Sequence, residues 1–427
     1  MKTPAIFLDK NNLENYFLIV VFFLMGISLS FAQAQNQKYI EVKGQVFNQN
    51  HQPISEVHLS VENTNISGLT NTDGVFSLKI PKENNSAVIR FSKVKYETKK
   101  VQLPFFEEGF TEITLNSSDE KSEKLEEVEI YEASNPKAIV KETFKNKAVE
   151  QGNLIGFYRE QIDRGRRNVM LGEAVVHIDK NKRIQGKKGK IAVYKSRKQT
   201  DYNKLDTLAV KLRGGPYTGM FLDLTAYPEM LFYQSELDAF EFEFENSTTL
   251  EGRYIYVIYF EQIDKNLPWY YGKLYIDAKT KSLVKADYSL NIEDRKAAAE
   301  MLVVQKPRRI KVTPLETHYQ AEYVEKNGKW FFNYGSFLIK VRVNWKGKLF
   351  NARYSINTEL AITDRAENPF FAKEELTEIK PNWIMSDDIS GFGDSDFWGR
   401  NNIIHPDKSI QDVIESIQDK IKPVEHN

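Results

Sequence analysis

In the run SFLIKVRVNW, Phe337, Ile339, Val341, Val343 and Trp345 alternate with Lys340, Arg342 and Asn344, and no other feature constrains the chain as strongly. Successive side chains of a strand point to opposite faces, so a period of two makes a strand with one dry and one wet face. RYSINTEL continues the pattern through Tyr354, Ile356, Thr358 and Leu360. RYIYVIYF is apolar on both sides, Tyr254, Tyr256, Ile258 and Phe260 opposing Ile255, Val257 and Tyr259, which places it centrally in a sheet. Strand signal dominates from Leu154 to about Ile362. The chain is mainly β, and this part is a large antiparallel domain, curved or barrel-like, with few helices.

The N-terminal part uses the same grammar in shorter pieces. NTDGVFSLKIP supplies a turn, with Asp73 bonding its own backbone and Gly74 accepting positive φ, and then a strand with Phe76, Leu78 and Ile80 on one face. Similar runs surround Val42, Val46, Leu59, Ile89, Val101 and Ile113. Short strands at this spacing predict a small antiparallel sandwich over residues 41–116. Residues 117–134 are a charged linker, as NSSDEKSEKLEE has no apolar period. The large domain spans 135–375. It opens with a helix capped by Ser134 or Asn135, with Pro136 at its first position and Val140, Phe144 and Ala148 on one face. The tail, 376–427, ends in an amphipathic helix with Ser409 and Asp412 as a capping-box pair. Its Ile410, Val413, Ile414, Ile417 and Ile421 are expected to dock on the sheet and cover one opening.

Residues 1–34 read as a secretory signal. FLIVVFFLMGISLSFA is followed by AQAQ, which fits cleavage after Ala32 or Ala34. The alternative is a retained anchor, since the run sits at the short edge of the roughly 17–25 residues a spanning helix uses. The sequence has no Cys, which excludes a lipoprotein anchor, a disulfide framework and a Cys nucleophile. Export without disulfides points to a bacterial envelope, periplasmic or associated with the outer membrane, and membrane-proximal rather than integral after cleavage. Lys plus Arg equals Asp plus Glu at 59 each, so no global field recruits nucleic acid.

VKGQVFNQNHQPISEVHLSVENTNISGLTNTDGVFSLKI resembles the carboxypeptidase regulatory-like domain, through Gly44, Val46, Pro53, Ile54, Val57, Thr72, Asp73, Gly74 and Phe76. The resemblance implies a prealbumin-like β-sandwich that serves attachment or spacing rather than chemistry. GFYREQI, LGEAVVHI, KLRGGP, YGKLYIDAKT and FWGRNNIIHPDKSI, in that order, resemble a family of exported Gram-negative proteins that join this domain to a β-rich region. YIYVIYF with YYGKLYIDAKTKSLVKADYSL is similar to the LolA-like lipoprotein carriers, which implies a half-open sheet closed by helices around an apolar cavity.

No catalytic or metal-binding set stands out. None of His51, His58, His177, His318, His405 and His426 sits in an H-E-x-x-H frame, and no nucleophile elbow, P-loop or dinucleotide fingerprint occurs, so no cofactor is expected. The basic run Lys180–Lys198 reads as a solvated hairpin tip or as a contact for phosphates or acidic glycans. Pairing of the strands around DRGRRN brings Arg159 close to Glu173, an ion pair or the polar anchor of a binding site. Trp269, Tyr270 and Tyr271 in NLPWYYG are candidates for its rim. The resulting expectation is a non-enzymatic envelope protein that binds or scaffolds an unknown ligand or protein, lipid-like, glycan or extended. An unrecognised hydrolase or peptidase accessory and an outer-membrane component are the alternatives, the barrel disfavoured by Lys, Arg and Asn where lipid requires apolar residues.

Overall fold

Alternating apolar positions in the first third of the chain close two small sheets on each other. The structure, a computed structural model, describes residues 39–106, 109–118, 135–145, 150–184, 187–200, 211–232, 234–303, 308–347, 351–365, 375–388 and 397–421. The signal segment, most of the linker and Ala148 lie outside them. The sandwich comprises β1 (Tyr39–Phe47), β2 (His58–Val61), β3 (Ser67–Leu69), β4 (Val75–Pro81), β5 (Val88–Ser92), β6 (Lys99–Gln102) and β7 (Phe110–Thr114). Its sheets run β4-β1-β7 and β3-β2-β5-β6. The β1–β7 pair is parallel, so the expected all-antiparallel sandwich is corrected at one edge. Val46, Val57, Leu59, Phe76, Leu78, Ile80, Ile89, Phe91 and Ile113 are fully buried between the sheets.

The turn before β4 is built differently from the sequence reading. Gly74 has φ +73°, and a Cβ there would lie 2.6 Å from the Val46 carbonyl. Asn71, not Asp73, bonds the local backbone, its Oδ1 accepting from the amides of Asp73 at 3.0 Å and Val75 at 2.8 Å. The Asp73 carboxylate turns instead to the C-terminal segment, where it accepts from the Lys408 amide.

The charged linker leads to α1 (Pro136–Lys145), where Asn135 Oδ1 accepts from the Lys137 amide at 3.0 Å. The long strands follow: β8 (Asn153–Arg164), β9 (Arg167–Ile184), β10 (Lys187–Thr200), then α2 (Pro216–Met220), β11 (Phe240–Phe244), β12 (Thr248–Leu250), β13 (Arg253–Gln262), β14 (Tyr270–Asp277), β15 (Leu283–Leu290), α3 (Arg295–Leu302), β16 (Ile310–Lys326), β17 (Lys329–Trp345), β18 (Ala352–Asp364), β19 (Thr377–Glu378), α4 (Met385–Asp388) and α5 (Lys408–Ile421). They form one 12-stranded antiparallel sheet in the order β11-β13-β14-β15-β16-β17-β18-β8-β9-β10-β19, with β12 also on β13. Its two ends do not pair among the described residues, so the sheet is open. RYIYVIYF, expected at the centre, is β13 beside the edge strand.

Alternation gives this sheet two faces, and both are covered. Tyr158, Ile162, Met170, Ala174 and Leu360 pack with Tyr217, Met220, Leu222, Tyr227 and Phe232 from the segment around α2. On the other face Ile155, Phe157, Val175, Tyr334 and Ala361 pack with Leu69 of the sandwich and with Trp398 and Ile404 of the C-terminal segment. The sandwich thus lies against the face that the alternation rule read as wet. Contact is tight on the helix-covered face, where a Cβ on Gly219 would lie 2.5 Å from the Leu360 Cβ.

The C-terminal helix takes its cap from Asp407 rather than Ser409, Oδ1 accepting from the Ile410 amide at 2.8 Å. Asp73 Oδ2 accepts from the Lys408 amide at 2.7 Å, so a sandwich turn caps a helix more than three hundred residues away. Ile410 and Ile414 pack on Leu171. Leu171 shares a face with Glu173 and Val175, so this helix covers the sandwich side and not the opening expected for it. No helix among the described residues is long and apolar enough to cross a membrane.

Candidate functional site

The four strands β18, β8, β9 and β10 lie side by side in a register that pairs Glu359 with Arg159, Arg159 with Glu173, and Glu173 with Arg197. One row of the sheet is therefore a ladder of alternating charge, on the face turned to the sandwich. Arg159 donates from Nε to Glu173 Oε1 at 2.8 Å, from Nη1 to Glu359 Oε1 at 2.7 Å and from Nη2 to the Ile404 carbonyl at 2.8 Å. Arg197 Nε donates to Glu173 Oε2 at 2.7 Å. Both carboxylate oxygens of Glu173 are occupied, and planar guanidinium forks fit that geometry. Rings close the ladder from above, with Trp398 5.0 Å from the Arg197 guanidinium and Phe157 5.1 Å from that of Arg159.

Burial disfavours the Glu173 carboxylate, yet the guanidiniums of Arg159 and Arg197 hold its pKa below the usual range. Glu359 has one guanidinium partner, and there burial prevails and raises the pKa. Ladders of this kind are held by completeness: taking one partner from a buried pair leaves an uncompensated charge, a loss of about 3–5 kcal/mol.

The helix-covered face carries a second polar feature. Glu160, next to Arg159 and therefore on the opposite side, accepts from the Tyr158 hydroxyl at 2.9 Å through Oε2. Its Oε1 and the Oγ1 of Thr358, directly across in the β8–β18 register, have no partner among the described residues. Burial pushes the Glu160 carboxyl up to about 7. Lys180 and Asp223 form another buried pair at 3.0 Å on this domain.

The five residues expected to bind a ligand do not converge. Trp269 stacks on Phe240 with centroids 5.5 Å apart, and Tyr270 packs edge-on against Tyr288 and Tyr319 at 5.4 and 5.6 Å. These two join the aromatic packing of the helix-covered face. Tyr271 points the other way and is 40% exposed. Strand β14 lies five steps from β8 in the sheet order, about 24 Å at strand spacing, and Arg159 with Glu173 occupies the opposite face from Trp269 and Tyr270. Four cations of the basic run have partners among the described residues: Lys180 pairs with Asp223, Lys190 with Glu378 and Arg197 with Glu173, and Lys195 donates to the Phe397 carbonyl. Sequence reading missed Arg197, Glu359 and Glu160. Arg197 was hidden in that run, and Glu359 needed the register of a third strand. Glu160 was legible only as a second charge on an apolar strand.

The sandwich is joined to the sheet at several points. Ser67 Oγ donates to the Ile362 carbonyl at 2.8 Å, Gln320 Nε2 to Glu56 Oε2 at 2.9 Å, and Arg90 Nη1 to Glu251 Oε2 at 3.2 Å. Asn71 Nδ2 donates to the Pro406 carbonyl at 3.0 Å and Thr72 Oγ1 to Asp407 Oδ2 at 2.8 Å. His58 is buried at this junction, and burial lowers its pKa to about 3, so its imidazole is neutral.

Residues 42–130 match the family model of the CarboxypepD_reg-like domain. The regulatory-like sandwich read from its hairpin is therefore present, and its Thr72, Asp73 and Asn71 hold the C-terminal segment. No curated protein sequence matches the chain significantly. Among solved structures, a LolA superfamily protein from Nitrosomonas europaea aligns at 9% identity over 57% of this chain and 100% of its own, with a TM-score of 0.20. A putative outer membrane lipoprotein-sorting protein domain from Vibrio parahaemolyticus aligns at 13% identity over 56% and 95%, TM-score 0.24. The MucA/MucB complex of Pseudomonas aeruginosa contributes a chain at 11% identity over 55% and 94%, TM-score 0.17. Among the described residues no three His, Asp or Glu side chains gather as metal ligands.

Proposed function

We propose that this chain is an exported, non-enzymatic protein of the bacterial cell envelope that works as a scaffold, holding an extended partner against its large sheet. The observation that carries the reading is the union of sandwich and sheet. A regulatory-like domain on a loose linker would act as a spacer, whereas this one is fixed by the bonds from Ser67, Glu56, Arg90 and Asn71 and by Leu69 packed among Phe157 and Trp398. A frame of this kind presents surfaces at fixed positions. An extended partner is favoured over an enclosed apolar ligand because side chains of the α2 segment fill the helix-covered face. Phe244, Tyr254, Ile263 and Tyr271, exposed at the β11–β14 end, offer it apolar contact.

The N-terminal apolar run supports export, with a mature chain beginning after Ala32 or Ala34. Cell fractionation with intact-mass measurement, followed by native mass spectrometry of the protein from its own envelope, tests the proposal. The expected result is a cleaved chain in the envelope fraction carrying a bound macromolecule of fixed mass. A full-length chain in the cytoplasm, or a mature chain that is always bare, overturns it.

A further inference from the structure

We propose that the free edge of the large sheet, strand β11, takes up a basic segment of alternating cationic and apolar residues as an added antiparallel strand. The inference rests on the scaffold reading for the partner being extended, and names that partner's chemistry.

Strand β11 ends the sheet order, with β13 on its inner side. In an antiparallel pair, residues bonded to the neighbour alternate with residues whose amide and carbonyl point away. The Ala239 carbonyl accepts from the Ile263 amide at 2.9 Å and the Glu245 amide donates to the Val257 carbonyl at 2.8 Å, both in the register that pairs Phe240 with Gln262. The odd-numbered residues therefore face β13. Phe242 and Phe244 turn their backbone groups outward, where no backbone group meets them among the described residues. Such a row is a template for a further strand. Helix α1 reaches only the face of this strand, through Phe144 on Phe232 and Phe232 on Phe240 and Phe242. Exposure rises along β11 from 3% at Phe240 to 36% at Phe244, so its second half is open.

The two sides of the edge say what the added strand must carry. Phe242 and Phe244 lie on the helix-covered side, Phe244 with its ring 5.6 Å from that of Tyr256, so apolar side chains belong beside them. Glu241 and Glu243 alternate with them and are exposed on the other side. Other acids nearby have lysine partners, Glu245 with Lys273, Glu261 with Lys265 and Asp238 with Lys137. Glu241 and Glu243 have no ion-pair partner among the described residues, and Glu241 stands opposite Glu261 in the β11–β13 register. A second copy of β11 laid antiparallel on the first would set glutamate against glutamate, and like charges directly opposite are destabilising. The same charges favour a basic strand, with lysine or arginine opposite Glu241 and Glu243 on one side and apolar residues beside Phe242 and Phe244 on the other.

The test is titration calorimetry on the full chain with three end-blocked peptides, KVKVKVK, the unpatterned KKVVVKK and the acidic EVEVEVE, paired with hydrogen exchange over β11. KVKVKVK is expected to bind and to slow exchange at the Phe242 and Phe244 amides, which exchange fast in the free chain. The other two peptides should be at least about tenfold weaker. Both glutamates are exposed and outside the core, so reversing them together, Glu241→Lys with Glu243→Lys, keeps the fold. The reversed chain should bind KVKVKVK at least about tenfold more weakly and take EVEVEVE instead. Absence of KVKVKVK binding at millimolar concentration, or amides already protected in the free chain, overturns the proposal. Equal binding of KKVVVKK overturns the added strand, and an unswitched preference in the reversed chain overturns the role of the glutamates. Failure of the peptides with a chain that carries a macromolecule from its own envelope overturns the edge and leaves the scaffold reading standing. A bare chain that still binds KVKVKVK overturns the scaffold reading and supports the edge.

Discussion

Replacing Glu160 by Gln should stabilise the protein at alkaline pH and leave it nearly unchanged in mild acid. Glu160 is wholly buried, and burial lifts its carboxyl from 4.5 to about 7, opposed only by the hydrogen bond from Tyr158. At about 1.4 kcal/mol per pH unit, the ionised form is less favourable in the folded than in the unfolded chain by about 3 kcal/mol. The sign follows from proton binding. Between pH 4.5 and about 7 the folded chain keeps a proton that the unfolded chain has released, so stability falls as pH rises through that window and levels off above it. Gln keeps the acceptor for Tyr158 and places an uncharged amide where Oε1 lies, opposite Thr358. Urea unfolding of both proteins at pH 5 and pH 8 measures the effect. The difference between variant and native stability should grow by about 3 kcal/mol from the first pH to the second. A difference that is the same at both pH values refutes the reasoning, because Glu160 would then ionise alike in the folded and unfolded chains.

Glu173→Ala strips the two buried arginines of their shared carboxylate and should destabilise by about 3–5 kcal/mol, read as a lower urea midpoint. An unchanged midpoint would mean the ladder is not buried in solution. Asp73→Ala removes the acceptor of the Lys408 amide, a loss of about 1 kcal/mol that should appear as faster hydrogen exchange at residues 408–414 with the sandwich core unaffected. Gly219→Ala forces a methyl against Leu360 and should lower stability by about 1–3 kcal/mol, whereas a neutral result would show that α2 can move away from the sheet.

Much of the fold was legible because strands declare themselves locally. The alternation in SFLIKVRVNW became β17, and the Asp73–Gly74 hairpin released β4 as expected. The neighbourhood of Arg159 and Glu173 was legible too, since a hairpin around DRGRRN fixes its own register. Glu359 and Arg197 were not, because they arrive from strands whose neighbours are chosen by the whole sheet. The caps show the same divide. Asn135 caps α1 from the adjacent position, but the C-terminal helix draws on Asp73 from the far end of the chain.

By itself the sequence determined which residues form strands, where the sandwich hairpin turns, and that the N-terminal segment reads as an export signal, since each depends on neighbours within a few positions. Only the tertiary structure decided what each face of the sheet meets. Alternation separates Tyr158 and Glu160 from Arg159, but it cannot say that the side with Lys340 and Arg342 would receive a folded sandwich, nor that Trp398 would cover a row of buried charge. A period of two assigns side chains to two sides. Which side is dry depends on what packs there, and that is settled by segments hundreds of residues apart meeting in space.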